Sequence, residues 1–180
     1  MTNKTYKITR IALMTALLCV VSPFAIVFPV SPVPISLATL MLYLSVYILG
    51  KKDAVISCEI YLLIGLAGVP VFSGFTGGIG KLLGPTGGYL IGYLLLVFIS
   101  GWFVEKWNDY FRQGVGMVIG TTACYLFGSL WLAYQSKVSL EAALLTGALP
   151  FVPGDVIKIV AGMFLGTAVR KRLRLAGMIE

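Results

Sequence analysis

Long uncharged stretches alternate with short charged or Gly/Pro-rich breaks, and the breaks mark out the elements. No Asp, Glu, Lys or Arg occurs from Ile11 to Gly50, a stretch too long for one bilayer-spanning helix. Pro29, Pro32 and Pro34 interrupt it where a turn must lie. The pattern predicts a first helix from Ile11 to about Phe28, a short Pro-rich outer loop, and a second helix ending at Gly50. Four more apolar segments follow, from Ala54 to about Leu66, Gly87 to Val104, Gly114 to Tyr134, and Pro153 to about Val169. A helix needs ~20 residues at ~1.5 Å rise to cross a ~30 Å hydrocarbon layer, so the shorter segments must borrow flanking residues. The expectation is an all-α integral membrane protein: one domain over residues 1–180, a bundle of six transmembrane helices.

Composition agrees. The chain is 58% hydrophobic and 12% charged, with a mean hydropathy of +0.95. Soluble domains carry about 25% charged residues, so the polar surface here is too small for a water-soluble globule. Lys4, Lys7 and Arg10 precede the first apolar run as in a signal peptide, yet no convincing cleavage site follows, and the run reads as a retained helix.

Charge then orients the bundle. Lys4, Lys7, Arg10, Lys51, Lys52, Lys106, Arg112, Arg170, Lys171, Arg172 and Arg174 fall on one side of the six-helix scheme, and only Lys81 and Lys137 fall in loops on the other. By the positive-inside rule both termini are cytoplasmic. The net charge of +7 is thus topological, which makes nucleic acid a poor partner. Trp102, Trp107, Trp131 and Tyr134 fit interfacial belts. Cys19, Cys58 and Cys124 lie on separate apolar segments without CxxC spacing, and the chain has no histidine. They read as buried structural thiols, with no metal site.

Two outer loops are long enough to do more than connect. Gly68 to Thr86 contains Gly74, Gly77, Gly78, Gly80 and Gly84, which permit backbone conformations closed to other residues and close approach to a ligand. Gln135 to Val152 includes a short helix opened by Ser139 as N-cap and closed by Gly147 and Pro150.

Charge inside a span is the sharpest chemical signal, because Asp or Lys there costs ~2.5–3.5 kcal/mol on insertion scales. Asp155 and Lys158 stand at i and i+3 near the start of the sixth helix, on one face. They form a neutral donor and acceptor pair beside both outer loops, suited to a polar ligand. The alternative is a structural ion pair tying the helix to its own N-terminus. Glu59 is expected to snorkel to the inner interface or to pair with Lys52. The pairs Gly84/Gly88, Gly88/Gly92, Gly116/Gly120 and Gly162/Gly166 are expected to serve close helix packing.

Other chemistries fail. Gly77 to Lys81 resembles a phosphate loop, but Phe75 stands where its first glycine belongs and Leu82 where Ser or Thr must hold magnesium. No GxSxG is present, and Asp155 is the only aspartate inside a predicted span, which disfavours serine hydrolase and aspartyl protease readings. The chain does not read as an enzyme.

The segment AGVPVFSGFTGGIGKLLGPTGGY from Ala67 to Tyr89, followed by FVPGDVIK from Phe151 to Lys158, resembles the BioY family, the biotin-specific S components of energy-coupling factor (ECF) transporters. The likeness covers nearly the whole chain, including a PVPI turn around Val33 to Ile35. It implies a substrate-binding subunit in the cell membrane of a prokaryote that captures biotin from outside. A separate transmembrane coupling protein and two ATPases would drive transport, so ATP is used only by those partners and this chain holds no cofactor. In the family an AxxxA motif on the first helix meets the coupling protein, and Ala12 and Ala16 stand where it would be.

For the ligand, the resemblance implies that Asp155 accepts from the ureido N–H groups and that Lys158 donates to the ureido carbonyl or fixes the aspartate. The backbone of Gly74, Gly77 and Gly78 would close over the rest. Thr76 stands where the family often has asparagine, as a possible polar contact. Ser36, Leu37, Ala38 and Thr39 follow the PVPI turn where a glutamine is common, leaving Ser36 to offer a hydroxyl instead. Tyr43, Tyr89 and Tyr93 would flank the apolar ring or pack in the core, and Lys81, Lys158 and loop amides are all candidates for the biotin carboxylate. A solitary carrier working without ATPases and a structural membrane protein are the rival readings.

Overall fold

The computed structural model describes residues 3–26 and 35–177. The prolines of the PVPI turn lie outside the described residues, and the first helix ends at Val21 instead of near Phe28, with Ala25–Ile26 in a short strand. Eight α-helices occur among the described residues: α1 (Asn3–Val21), α2 (Ala38–Leu49), α3 (Lys51–Leu66), α4 (Ile79–Leu82), α5 (Gly87–Lys106), α6 (Tyr110–Ser136), α7 (Leu140–Gly147) and α8 (Val152–Leu175). A two-residue antiparallel pair, β1 (Ala25–Ile26) with β2 (Ile35–Ser36), joins α1 to α2.

The helix starts and stops follow local chemistry. Asp109 caps α6 by accepting from the Arg112 N–H at 3.3 Å, and Ser139, the N-cap expected from the sequence, caps α7 by accepting from the Ala142 N–H at 3.2 Å. At Gly50 the chain turns between α2 and α3 with φ of 79°, a left-handed conformation that favours glycine. The Lys51 N–H there donates to Glu105 Oε1 at 2.6 Å, tying the corner to the end of α5.

Three stretches are long and apolar enough to cross a membrane: Gly87–Lys106, Tyr110–Ser136 and Leu140–Leu175. The second helix begins later than the uncharged run suggests; its 12 residues span only about 18 Å. Large apolar side chains cover the outside, among them Leu13, Leu63, Phe98, Phe111, Ile157 and Phe164, the surface expected of a protein solvated by lipid.

The interior is built on small-for-large exchanges. A Cβ at Gly116 would lie 2.2 Å from Phe103 Cβ, and one at Gly128 would lie 2.3 Å from Tyr89 Cδ1. These glycines let α6 lie against α5. Gly162 and Gly166 do the same for α8 against Tyr43 and Tyr47 of α2. All three cysteines are free, Cys58 and Cys124 being buried and Cys19 partly so. Glu59 is exposed on α3 and forms no ion pair with Lys52 among the described residues. The ion pair at that end joins Lys7 to Asp53 at 2.8 Å.

Candidate binding site

Asp155 lies in the first turn of α8, where the helix dipole favours a carboxylate, yet it is buried to 5% exposure. A buried charge is tolerable only when paired and hydrogen-bonded, and three donors surround it. Lys158 Nζ donates to Oδ1 at 2.9 Å, the Thr39 hydroxyl from α2 donates to Oδ1 at 3.4 Å, and the Tyr125 hydroxyl from α6 donates to Oδ2. Three helices thus converge on one carboxylate.

Lys158 is equally engaged. Besides Asp155 it donates to the Ser36 carbonyl at 2.7 Å and to Thr39 Oγ1 at 3.2 Å. An ammonium has three N–H donors, so none remains in this arrangement. A carboxylate offers about four lone-pair sites; with three taken, Asp155 retains room for about one more donor. Lys158 therefore holds the aspartate in place, and Asp155 keeps room for a further donor.

Beside this network is a cavity of about 40 Å³ lined by Ser36, Tyr89, Tyr93, Thr121, Phe151, Asp155 and Lys158, among others. That volume holds a small water cluster and must widen to admit a bicyclic ligand. The Tyr89 hydroxyl is held by Ser129 Oγ at 3.0 Å. Tyr93 is buried, lines the cavity, and its hydroxyl makes no hydrogen bond among the described residues.

The structure brings Ser36, Tyr89, Tyr93, Asp155 and Lys158 together around one cavity. Ser36 enters through its carbonyl; its hydroxyl donates to the Ser22 carbonyl at 2.8 Å and accepts from the Ala38 N–H at 3.0 Å. Gly74, Thr76, Gly77 and Gly78 do not line the cavity. Their loop is instead held by packing: Phe72 is fully buried against Tyr61, and Phe72 and Thr76 exchange backbone hydrogen bonds at 2.9 and 3.3 Å. The Gly74 N–H donates to the Pro23 carbonyl at 2.9 Å and the Gly78 N–H to the Gly65 carbonyl at 2.7 Å. The Thr76 hydroxyl donates to the Ser73 carbonyl at 3.0 Å. Gly77 serves close backbone packing, pressed against the Val69 carbonyl, whereas Gly74 and Gly78 have open space at the Cβ position and take φ of 74° and 87°. Tyr43 is fully buried and its hydroxyl pairs with Thr121, so it belongs to the core.

Lys81 is half-buried in α4 away from the cavity, and desolvation pulls its ammonium below the usual lysine range. Ala12 and Ala16 are exposed on one face of α1 with Leu13, Leu17 and Val20. Sequence reasoning missed Tyr125 and Thr121. A hydroxyl-bearing pair beside the Gly116, Gly120, Gly128 series of α6 was the available signal.

The family profile described as BioY matches residues 1–175. The chain belongs to the BioY family. Among BioY relatives, a biotin transporter of Thermotoga maritima is 34% identical over 165 residues, covering 92% of this chain and 96% of that one. The biotin transporter BioY2 of Lactococcus lactis subsp. cremoris is also 34% identical, over 95% of this chain and 93% of its own. A crystal structure of the S-component for biotin from an ECF-type ABC transporter superposes with a TM-score of 0.87 at 32% identity, covering 95% of each chain.

Proposed function

We propose that this chain captures biotin as the substrate-binding subunit of an ECF-type transporter in the plasma membrane of a prokaryote. The observation that carries the reading is the buried Asp155, hydrogen-bonded by Lys158, Thr39 and Tyr125, with an acceptor site left at the wall of a cavity. Biotin offers two ureido N–H donors, an apolar fused ring and a carboxylate tail. Asp155 accepts one ureido N–H, the Tyr93 hydroxyl contacts the ureido carbonyl, and Tyr89 and Phe151 border the ring. This assignment moves the carbonyl contact from Lys158, whose donors are engaged, to Tyr93. The relatives' function and the likeness to a biotin S-component support it.

Six spans with both termini cytoplasmic complete the proposal. α1, α2 and α3 cross as short or flank-extended helices alongside the three long apolar stretches, and the basic ends of α1, α5 and α8 face the cytoplasm. The chain works without a cofactor or catalytic step of its own. The exposed Ala12 and Ala16 face meets a transmembrane coupling protein, and two partner ATPases supply ATP.

The test is calorimetric titration of the purified full chain with biotin. Saturable one-to-one binding is expected; folded protein that takes up no biotin would overturn the reading. Uptake into vesicles containing only this chain would replace the ATPase-driven scheme with a solitary carrier.

A further inference from the structure

The ureido ring of biotin carries two N–H donors, and Asp155 has room for about one of them, since three of its about four lone-pair sites are taken. The other N–H would enter a buried wall at the full desolvation cost of an orphaned donor unless a second acceptor meets it. The two N–H bonds of a five-membered cyclic urea diverge to opposite sides of the ring. That second acceptor must therefore stand apart from Asp155.

The polar side chains of the cavity wall are sorted by the bonds they already make. The Thr39 hydroxyl lies against Asp155 and accepts from the Lys158 ammonium at 3.2 Å, a neighbour that repels a further N–H. The Tyr125 hydroxyl also lies against Asp155. The Ser36 hydroxyl is held between the Ser22 carbonyl and the Ala38 N–H. The Tyr89 hydroxyl is paired with Ser129 and pressed against Gly147 of α7. The Cys124 thiol is a weak acceptor.

Thr121 differs from all of these. It lines the cavity and is buried to 6% exposure. Its single O–H donates to the Met117 carbonyl at 2.7 Å, and its oxygen lies 2.5 Å from the Tyr43 hydroxyl. With the Thr121 hydrogen spent, Tyr43 is the donor of that pair; the reverse would leave a fully buried phenol O–H without an acceptor among the described residues. A hydroxyl oxygen has two lone pairs, so one remains on Thr121 Oγ1. Donation to the Met117 carbonyl polarises that oxygen and strengthens it as an acceptor. Thr121 also stands one turn of α6, about 6 Å, from Tyr125, whose hydroxyl touches Asp155. The two acceptors are thus displaced along one wall of the cavity.

We propose that Thr121 accepts the second ureido N–H of biotin, so that Asp155 and Thr121 together select a ring with two diverging N–H donors. This contact rests on the biotin reading above.

The experiment is calorimetric titration with biotin, paired with thermal unfolding, of the full chain and of Thr121→Val, Thr121→Ser, Tyr43→Phe and the Tyr43→Phe, Thr121→Val double variant. Thr121→Val keeps the shape and removes the acceptor. It should lower biotin affinity about tenfold, and it should also lower Tm because the Tyr43 O–H is orphaned. Thr121→Ser and Tyr43→Phe both keep the Thr121-position hydroxyl and should bind within about threefold of wild type. The double variant has no orphaned phenol, so its Tm should recover toward that of Tyr43→Phe while its affinity stays about tenfold low. If Thr121→Val folds poorly, the double variant carries the same comparison. A role in packing alone would instead restore affinity together with Tm, and that result, or Thr121→Val binding within about threefold of wild type, would overturn the contact. Wild-type protein that takes up no biotin would overturn the biotin reading and this contact with it.

Discussion

At the scale of single residues, Asp155 and Lys158 have different jobs despite sharing one hydrogen bond. Lys158 spends its donors on Ser36, Thr39 and Asp155, so Lys158→Ala leaves a buried carboxylate without its counter-ion. Breaking such a pair costs about 3–5 kcal/mol, and the variant should show a large drop in unfolding temperature as well as lost biotin binding. Asp155→Asn keeps a hydrogen-bonding group of the same shape but loses the charge. It should weaken biotin binding more than tenfold in calorimetry; a change within about threefold, under ~1 kcal/mol, would remove Asp155 from the site. Two of the cavity tyrosines, Tyr93 and Tyr125, separate binding from stability. The Tyr93 hydroxyl has no hydrogen-bond partner among the described residues, so Tyr93→Phe should lower biotin affinity about tenfold while leaving Tm nearly unchanged. Tyr125→Phe removes a donor to a buried carboxylate and should lower both, with about 1.5–3 kcal/mol at stake.

At the scale of elements, the site depends on how closely α5, α6 and α8 approach. Gly128 lies against the Tyr89 ring, with a Cβ there only 2.3 Å from Cδ1, and Tyr89 forms part of the cavity wall. Gly128→Val should push α6 from α5 and displace Tyr89, lowering biotin affinity and unfolding temperature together. At the other end, Gly50 combines a φ of 79° with a Cβ position 2.9 Å from Glu105 Oε1. Gly50→Ala is strained by roughly 1–2 kcal/mol and should reduce thermal stability with little effect on biotin affinity, because the corner is remote from Asp155. The Gly68 to Thr86 loop shows the limit of reading an element by composition. Its glycines suit a ligand-covering loop and a tightly packed one equally well. Burial of Val71 and Phe72 in the core anchors the loop to the bundle.

At the scale of the whole molecule, one outward face stands apart. The outer face of α1 carries Ala12 and Ala16 between Leu13, Leu17 and Val20, a surface with small residues that allow another helix close approach. Ala12→Trp should abolish co-purification with the coupling protein while leaving biotin titration unchanged, since the side chain points away from the cavity-forming helices. Unaltered co-purification would exclude this face as the contact.

The sequence by itself determined the lipid-solvated class, the placement of most helices, the Ser139 cap of α7, and the shared face of Asp155 and Lys158. Each depends on residues within one or two turns of each other, where composition and helical period suffice. Only the tertiary structure decided which partners complete the network. Thr39 and the Ser36 carbonyl reach Lys158 across 119 and 122 positions, and Tyr125 reaches Asp155 across 30. Such contacts depend on the angles and separations at which helices pack, set by glycine against aromatic ring in several places at once, and no local pattern encodes them.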